Sequence, residues 1–196
     1  MLNKISLSIK KIGDYRTVVD KSLIDEVEAL ARDLRGLRLC HINSTPFGGG
    51  VAELLISIIP LLRGLGISAD WQVIRGDQRF FAITKSMHNA IQGGSGEMIK
   101  KESTRSVYQR NNLTNARELD KNYDVFIIND PQPAALRHYC EDSKAKWIWR
   151  CHVDSSQPNQ DVWQFLRPYV EEYDAAVFTL QKFVPHDLNV PRIATM

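Results

Sequence analysis

The sequence predicts an α/β domain built on a parallel sheet with helices on both faces. Three observations carry that expectation. Strand-like and helix-like segments alternate along the 196-residue chain, the order that βαβ units produce. Strand-like runs, Val125-Phe-Ile-Ile128 above all, are continuously apolar rather than alternating, as strands covered on both faces require. One strand-to-helix turn holds three consecutive glycines, Gly48, Gly49 and Gly50, where a helix N-terminus can receive an anion.

The elements follow in order. Met1 to Lys10 alternates apolar and polar residues and, with a helix over 22–35, makes residues 1–36 a strand/helix extension. That helix sets Leu23, Ile24, Val27, Leu30, Ala31 and Leu34 on one face, with Ser22 and Asp25 as a capping box. Leu37 to Asn43 is a buried strand. The helix after the glycines turns Val51, Leu54, Leu55, Ile58, Leu62 and Leu65 inward, and Pro60 predicts a kink or break. Ile67 to Ile74 is the next strand and Arg79 to Gln92 the next helix. Glu97 to Leu119 reads as one or two surface helices with a weak apolar stripe. Val125 to Ile128 is a strand, followed by a helix after Pro131-Gln-Pro133. Trp147 to Val153 is a strand, Val162 to Tyr173 a helix containing Pro168, and Ala175 to Leu180 a strand. Asn189 to Met196 reads as a further strand or connection. The sum is one Rossmann-like domain over 1–196.

Composition bounds the function. The chain has 25 basic and 23 acidic residues, a net charge of +2. That balance gives no reason to expect nucleic acid or an anionic membrane as partner. The N-terminus has no apolar signal segment, and the apolar stretch Val51 to Leu65 is interrupted by Glu53, Ser57, Pro60, Arg63 and Gly64. Cys40, Cys140 and Cys151 are far apart and suit neither a disulfide framework nor a zinc site. A reduced, cytoplasmic setting is expected.

Ligands of open α/β sheets bind beyond the carboxyl ends of the strands, so candidate chemistry is sought there. Gly48, Gly49 and Gly50 let an anion approach unpaired helix amides with no Cβ in the way. The spacing is neither G-x-G-x-x-G, since Glu53 holds the third position, nor a P-loop; a plain tight turn is the bland alternative. Asp130, after Asn129, either caps a following helix or binds substrate hydroxyls. His152 and Asp154 share a side if extended, which suits sugar binding; the alternative is a polar turn at Asp154 and a satisfied His152. Arg150 and Gln132 lie at the same strand ends. Lys85, His88 and Gln92, with Asn89 beside them, make a polar helix stripe that either faces solvent or lines a cleft. Glu53 reads as a capping carboxylate. Nothing matches a G-x-S-x-G elbow or H-E-x-x-H metal spacing, and no metal or cofactor is expected.

Ile42-Asn-Ser-Thr-Pro-Phe-Gly-Gly-Gly-Val-Ala-Glu-Leu54 resembles retaining GT-B glycosyltransferases of family four, most closely the trehalose-forming synthases and the trehalose phosphorylases. The resemblance continues at Trp71, Gly76-Asp77, Phe80-Phe81, Thr84-Lys85, His88 to Gly93, Asn129 to Pro133, Trp147 to Ser156, Phe165 to Tyr169 and Tyr173 to Phe178. It implies the N-terminal, acceptor-side half of a two-domain hexosyltransferase whose C-terminal donor-binding domain is absent from this sequence. It implies glucose transfer from a nucleotide sugar to a sugar acceptor without a protein nucleophile, and little activity from this half alone. Gly48 to Gly50 would take the donor phosphate. His152 and Asp130 would be catalytic; Arg150, Asp154, Gln132, Lys85, His88 and Asn89 would bind sugar. A phosphorylase-like domain, a non-catalytic sugar- or phosphate-binding fragment, and a homodimer remain open alternatives.

Overall fold

The computed structural model describes residues 2–196; Met1, the first residue of the alternating run, lies outside them. Strands β1 (Asn3–Lys4), β2 (Arg38–Asn43), β3 (Ser68–Val73), β4 (Val125–Asn129), β5 (Lys146–Cys151), β6 (Ala175–Phe178) and β7 (Ile193–Thr195) form one sheet in the order β1-β3-β2-β4-β5-β6-β7. β1 is antiparallel to β3 and every other pair is parallel. Helices α1 (Lys21–Arg32), α2 (Gly50–Gly64), α3 (Gln78–Ile91), α4 (Glu102–Glu118) and α5 (Gln160–Val170) fill the connections. From β2 the chain winds outward to β3, then returns to lay β4 on the other side of β2. The carboxyl ends of β2 and β4 therefore flank the switch point where open sheets hold their ligands.

Two apolar layers sandwich the sheet, as predicted. On one face α2 sets Ala52, Leu55 and Ile59 against Leu39, Ala69, Trp71 and Val73. On the other, α3, α4 and α5 bury Phe80, Met87, Tyr108, Trp163 and Leu166 against Ile42, Phe126, Ile128, Trp149 and Phe178. All three cysteines are buried and free. No helix among the described residues is long and apolar enough to cross a membrane.

Several local expectations are corrected. α2 runs unbroken through Pro60, whose carbonyl accepts from the Lys10 N–H at 3.0 Å and ties the N-terminal segment to the helix. Its buried stripe is Ala52, Leu55, Ile59 and Pro60, one position round from the predicted face. Glu53 does not complete a capping box. The N-cap is Gly49, so the position that could reach back is Ala52, and Glu53 falls one residue late. At α1 the cap is Asp20, which moves Ser22 inside the helix. Its apolar stripe buries only Ile24 and Ala31 while Leu23, Leu30 and Leu34 stay exposed. No α-helix follows Pro133. Residues 134–136 and 138–140 form short 3₁₀ turns, because distant side chains take the carbonyls a helix would have used. Tyr108 Oη donates to Pro131 O at 2.8 Å, Asn112 Nδ2 to Gln132 O at 3.2 Å and Tyr173 Oη to Ala134 O at 2.7 Å.

Candidate functional site

The chain beyond β2 is held before it reaches the glycines. Trp71 Nε1 donates to Asn43 Oδ1 at 2.8 Å, and Asn43 Nδ2 donates to Thr45 O at 2.8 Å. Gly48 takes φ +73°, a left-handed conformation that glycine adopts at no steric cost. Gly49 is extended and caps α2, whose Gly50 is the first helical residue. A Cβ built on Gly48, Gly49 or Gly50 meets nothing within 4 Å. The three glycines are thus not required by packing; what they keep clear is the approach to the α2 amides.

Across the switch point, Asn129 and Asp130 end β4. Asn129 Nδ2 donates to Ile42 O at 3.0 Å, which turns its Oδ1 toward His152 Nε2, 2.9 Å away. The acceptor fixes the tautomer: the imidazole proton sits on Nε2, and Nδ1 of the neutral ring keeps its lone pair. Asp130 has φ 65°, an uncommon conformation for a residue with a side chain. It is held from three directions. Its N–H donates to Arg150 O at 2.9 Å, its carbonyl accepts from Trp149 Nε1 at 3.0 Å, and its Oδ1 accepts from the His152 N–H at 2.9 Å. That fixed geometry, not the capping of a helix, is what the structure gives Asp130.

These ends and α3 enclose a cleft of about 650 Å³. Gly48, Gly49, Gly50, Lys85, His88, Asn89, Asp130 and Gln132 line it, together with Asn43, Ser44, Thr45, Phe81, Thr84 and Asn129. Eight sequence-chosen residues from three separate segments therefore meet in one place. His152 adjoins the cleft through Asn129 and Asp130. Arg150 and Asp154 do not line it. Arg150 is buried, 9% exposed. Asp154 is exposed and accepts from Ser156 N–H and Oγ at 2.9 and 2.7 Å, the polar turn that was the alternative reading. Of the predicted polar stripe, Lys85, His88 and Asn89 on α3 line the cleft and Gln92, the C-cap of that helix, does not. Buried atoms without partners point to the same region, namely Gln132 Oε1 and His88 Nδ1.

Burial dominates the electrostatics. It pushes the Asp130 carboxyl up to about 6, against the opposing pull of the His152 N–H and of Arg150. It pulls His152 down to about 4, with Arg150 acting in the same direction. His41, buried on β2, is pulled down to about 4 by burial and then by His152, and burial also lowers His88. At neutral pH the site holds one carboxylate among neutral imidazoles.

Asn43, Asn129, Phe81 and Thr84 were not among the sequence candidates. Asn129 had a signal, since it follows an apolar strand. Its cross-strand bond to Ile42 had none. Neither had Asn115 of α4, which clamps the end of β3 by accepting from Arg75 N–H at 2.7 Å and donating to Arg75 O at 2.8 Å.

The sheet order, the switch-point cleft and the glycine-lined helix start define a Rossmann-like domain of the GT-B glycosyltransferase type. An α,α-trehalose-phosphate synthase (UDP-forming) from Burkholderia vietnamiensis shares the fold, with a TM-score of 0.54 and 13% identity over 81% of this chain and 47% of that one. The family model described as "Trehalose synthase, N-terminal domain" matches residues 41–185. The chain belongs to that family. It is 42% identical to a trehalose synthase of Thermococcus litoralis over 95% of its own length and 45% of that protein's. A trehalose phosphorylase of Grifola frondosa is more distant, 28% identical over 96% of this chain and 29% of the relative. The chain thus spans about half the length, or less, of these relatives.

Proposed function

We propose that this domain forms the acceptor side of a retaining glucosyltransfer cleft, in which glucose passes from a nucleotide-sugar donor to a sugar acceptor, as in a trehalose synthase. The supporting observation is the cleft itself. It joins an unobstructed helix N-terminus at Gly48–Gly50 to a fixed carboxylate at Asp130. The loop amides would receive the donor phosphate. Asp130 would accept from sugar hydroxyls. His152, through its unprotonated Nδ1, would accept from one near the reacting end, while Gln132, Lys85, His88 and Asn89 would fix the rest of the ring. Catalysis of this kind rests on orientation and on stabilising charge at the departing phosphate, and the proposal requires neither metal nor cofactor. Binding of the donor nucleotide is assigned to the half of the relatives' length that this chain does not span.

The experiment is a titration of the 196-residue chain with glucose, trehalose and a nucleoside diphosphate, followed by amide chemical shifts. Sugar-induced shifts at Asp130, His152 and α3, with weaker diphosphate shifts at Gly48–Gly50, are expected. Saturating sugar that leaves these amides unmoved refutes the acceptor role. The greater sequence distance of the phosphorylase favours the synthase reading. Phosphorolysis of trehalose without nucleotide, by a protein in which this domain is joined to the rest of a relative's length, would reverse that choice.

A further inference from the structure

Arg150 is a buried cation with too little to hold it. Its side chain is nine-tenths buried, yet among the described residues it forms no ion pair. Nη2 donates to Thr179 Oγ1 at 3.4 Å, a long bond, and Nη1 is buried without a partner. Burying a guanidinium this way is costly unless a nearby charge compensates it. The register shows which one. Arg150 pairs with Asn129 across β4 and β5, its carbonyl receives the Asp130 N–H, and the Asp130 carboxylate receives the N–H of His152, two residues along from Arg150. Arg150 is therefore bonded through its backbone to Asp130 and stands two residues from His152, which sets its buried charge near both groups.

We propose that Arg150 is a positioning residue, not a sugar ligand: its fixed positive charge keeps Asp130 ionised and His152 neutral, so that a sugar meets a carboxylate and an imidazole lone pair together. The consequence for substrate rests on the sugar-cleft reading above; the charge assignment does not. The directions agree with the geometry. Burial drives Asp130 up and Arg150 opposes it, while on His152 burial and Arg150 both act downward. Other ionisable groups around Asp130 are Cys151 of β5 and His152 just after it, His41 from β2, and Lys85 and His88 across the cleft on α3. Lys85 is the only other permanent cation among them, and it is exposed.

The test follows from the signs. Removing the charge at constant burial, in Arg150→Met, should raise both the Asp130 and the His152 pKa by about one unit or more. If Arg150 only supports the loop, its loss lets water in. Asp130 then falls toward the ordinary carboxylate range while His152 rises. Asp130 separates the two accounts. The titrations are read by carboxyl ¹³C and imidazole ¹⁵N shifts in the 196-residue chain. Arg150→Lys, which retains the charge, should leave both groups near their parent values, and it serves as the deciding variant if Arg150→Met does not fold. A lowered or unmoved Asp130 in Arg150→Met, or an Arg150→Lys variant displaced from the parent, overturns the proposal. Adding glucose to the same samples separates the two claims. Raised pKa values without any sugar response would retire the sugar reading and leave the role of Arg150 standing.

Discussion

Asp130→Asn should make the protein more stable and its cleft less able to bind sugar. Asp130 is 8% exposed, and burial raises its carboxyl from 3.8 to about 6. Between those values the folded protein holds a proton that the unfolded chain has released. Stability therefore falls as pH rises through this window, and the cost is complete above it. A displacement of about two pH units corresponds to about 3 kcal/mol at pH 7, and at pH 4.5 the same linkage gives only about 1 kcal/mol. Asparagine removes the charge but keeps the shape. It tolerates the left-handed backbone, and its Oδ1 can still accept the His152 N–H. At 2–4 °C per kcal/mol for a domain of this size, Asp130→Asn should melt about 6–12 °C higher than the parent at pH 7. Urea and thermal unfolding at pH 7 and 4.5, followed by circular dichroism, measure the gain. A gain of equal size at both pH values, or none at pH 7, would show that Asp130 is not a buried carboxylate of raised pKa.

The glycines separate backbone strain from ligand access. Gly48→Ala places a Cβ at φ +73° and should cost about 1–2 kcal/mol in urea melts. Gly49→Val has an extended backbone and open space, so it should cost at most about 1 kcal/mol as a poorer helix cap while removing the diphosphate shifts of the loop; undiminished shifts would exclude a phosphate role. His41→Phe addresses acid stability. The folded pKa of His41 is lowered from 6.5 to about 4, so its contribution is present above 6.5 and is lost as pH falls toward 4. Between pH 7 and 5 the parent should lose about 2 kcal/mol more than His41→Phe, and parallel losses in the two proteins would contradict the buried-neutral assignment.

What the sequence disclosed depended on how local the cause was. β4 is readable because a strand covered on both faces is apolar almost throughout, and β2 and β5 because apolar residues dominate them despite His41 and Arg150; such strands imply a parallel sheet between helices. The inner face of α2 was not readable for the related reason that nearly every residue in the helix is apolar, so the stripe has no phase. Its choice of Ala52, Leu55 and Ile59 is made by β3 and β2. The 3₁₀ turns after Pro133 were hidden because Tyr108, Asn112 and Tyr173, each at least 20 residues away, take the carbonyls. In the site, the glycines and the polar residues ending each strand were legible from the switch-point rule. The conformation of Asp130, the His152 tautomer and the burial of Arg150 were not, because each is set by a partner on a neighbouring strand.

The distribution of unfavourable features supports the same assignment of the cleft. Buried side-chain atoms without partners include His41 Nδ1, His88 Nδ1, Gln132 Oε1 and Arg150 Nη1. His88 and Gln132 line the cleft, while His41 and Arg150 belong to the neighbouring β2 and β5; Asn112, Arg137 and Arg167 hold further such atoms away from it. Each such atom costs about 1–3 kcal/mol. The left-handed Asp130 adds backbone strain in the cleft. Apolar replacements would remove these costs without changing the sheet, whose two layers are well packed on both sides. The unpartnered Gln132 and His88 atoms and the strained Asp130 in the cleft are therefore not a requirement of the fold. A polyhydroxylated ligand would supply the missing donors and acceptors to Gln132 and His88 directly. The charge of Arg150, on the strand beside Asp130, would decide whether Asp130 meets that ligand as an acceptor.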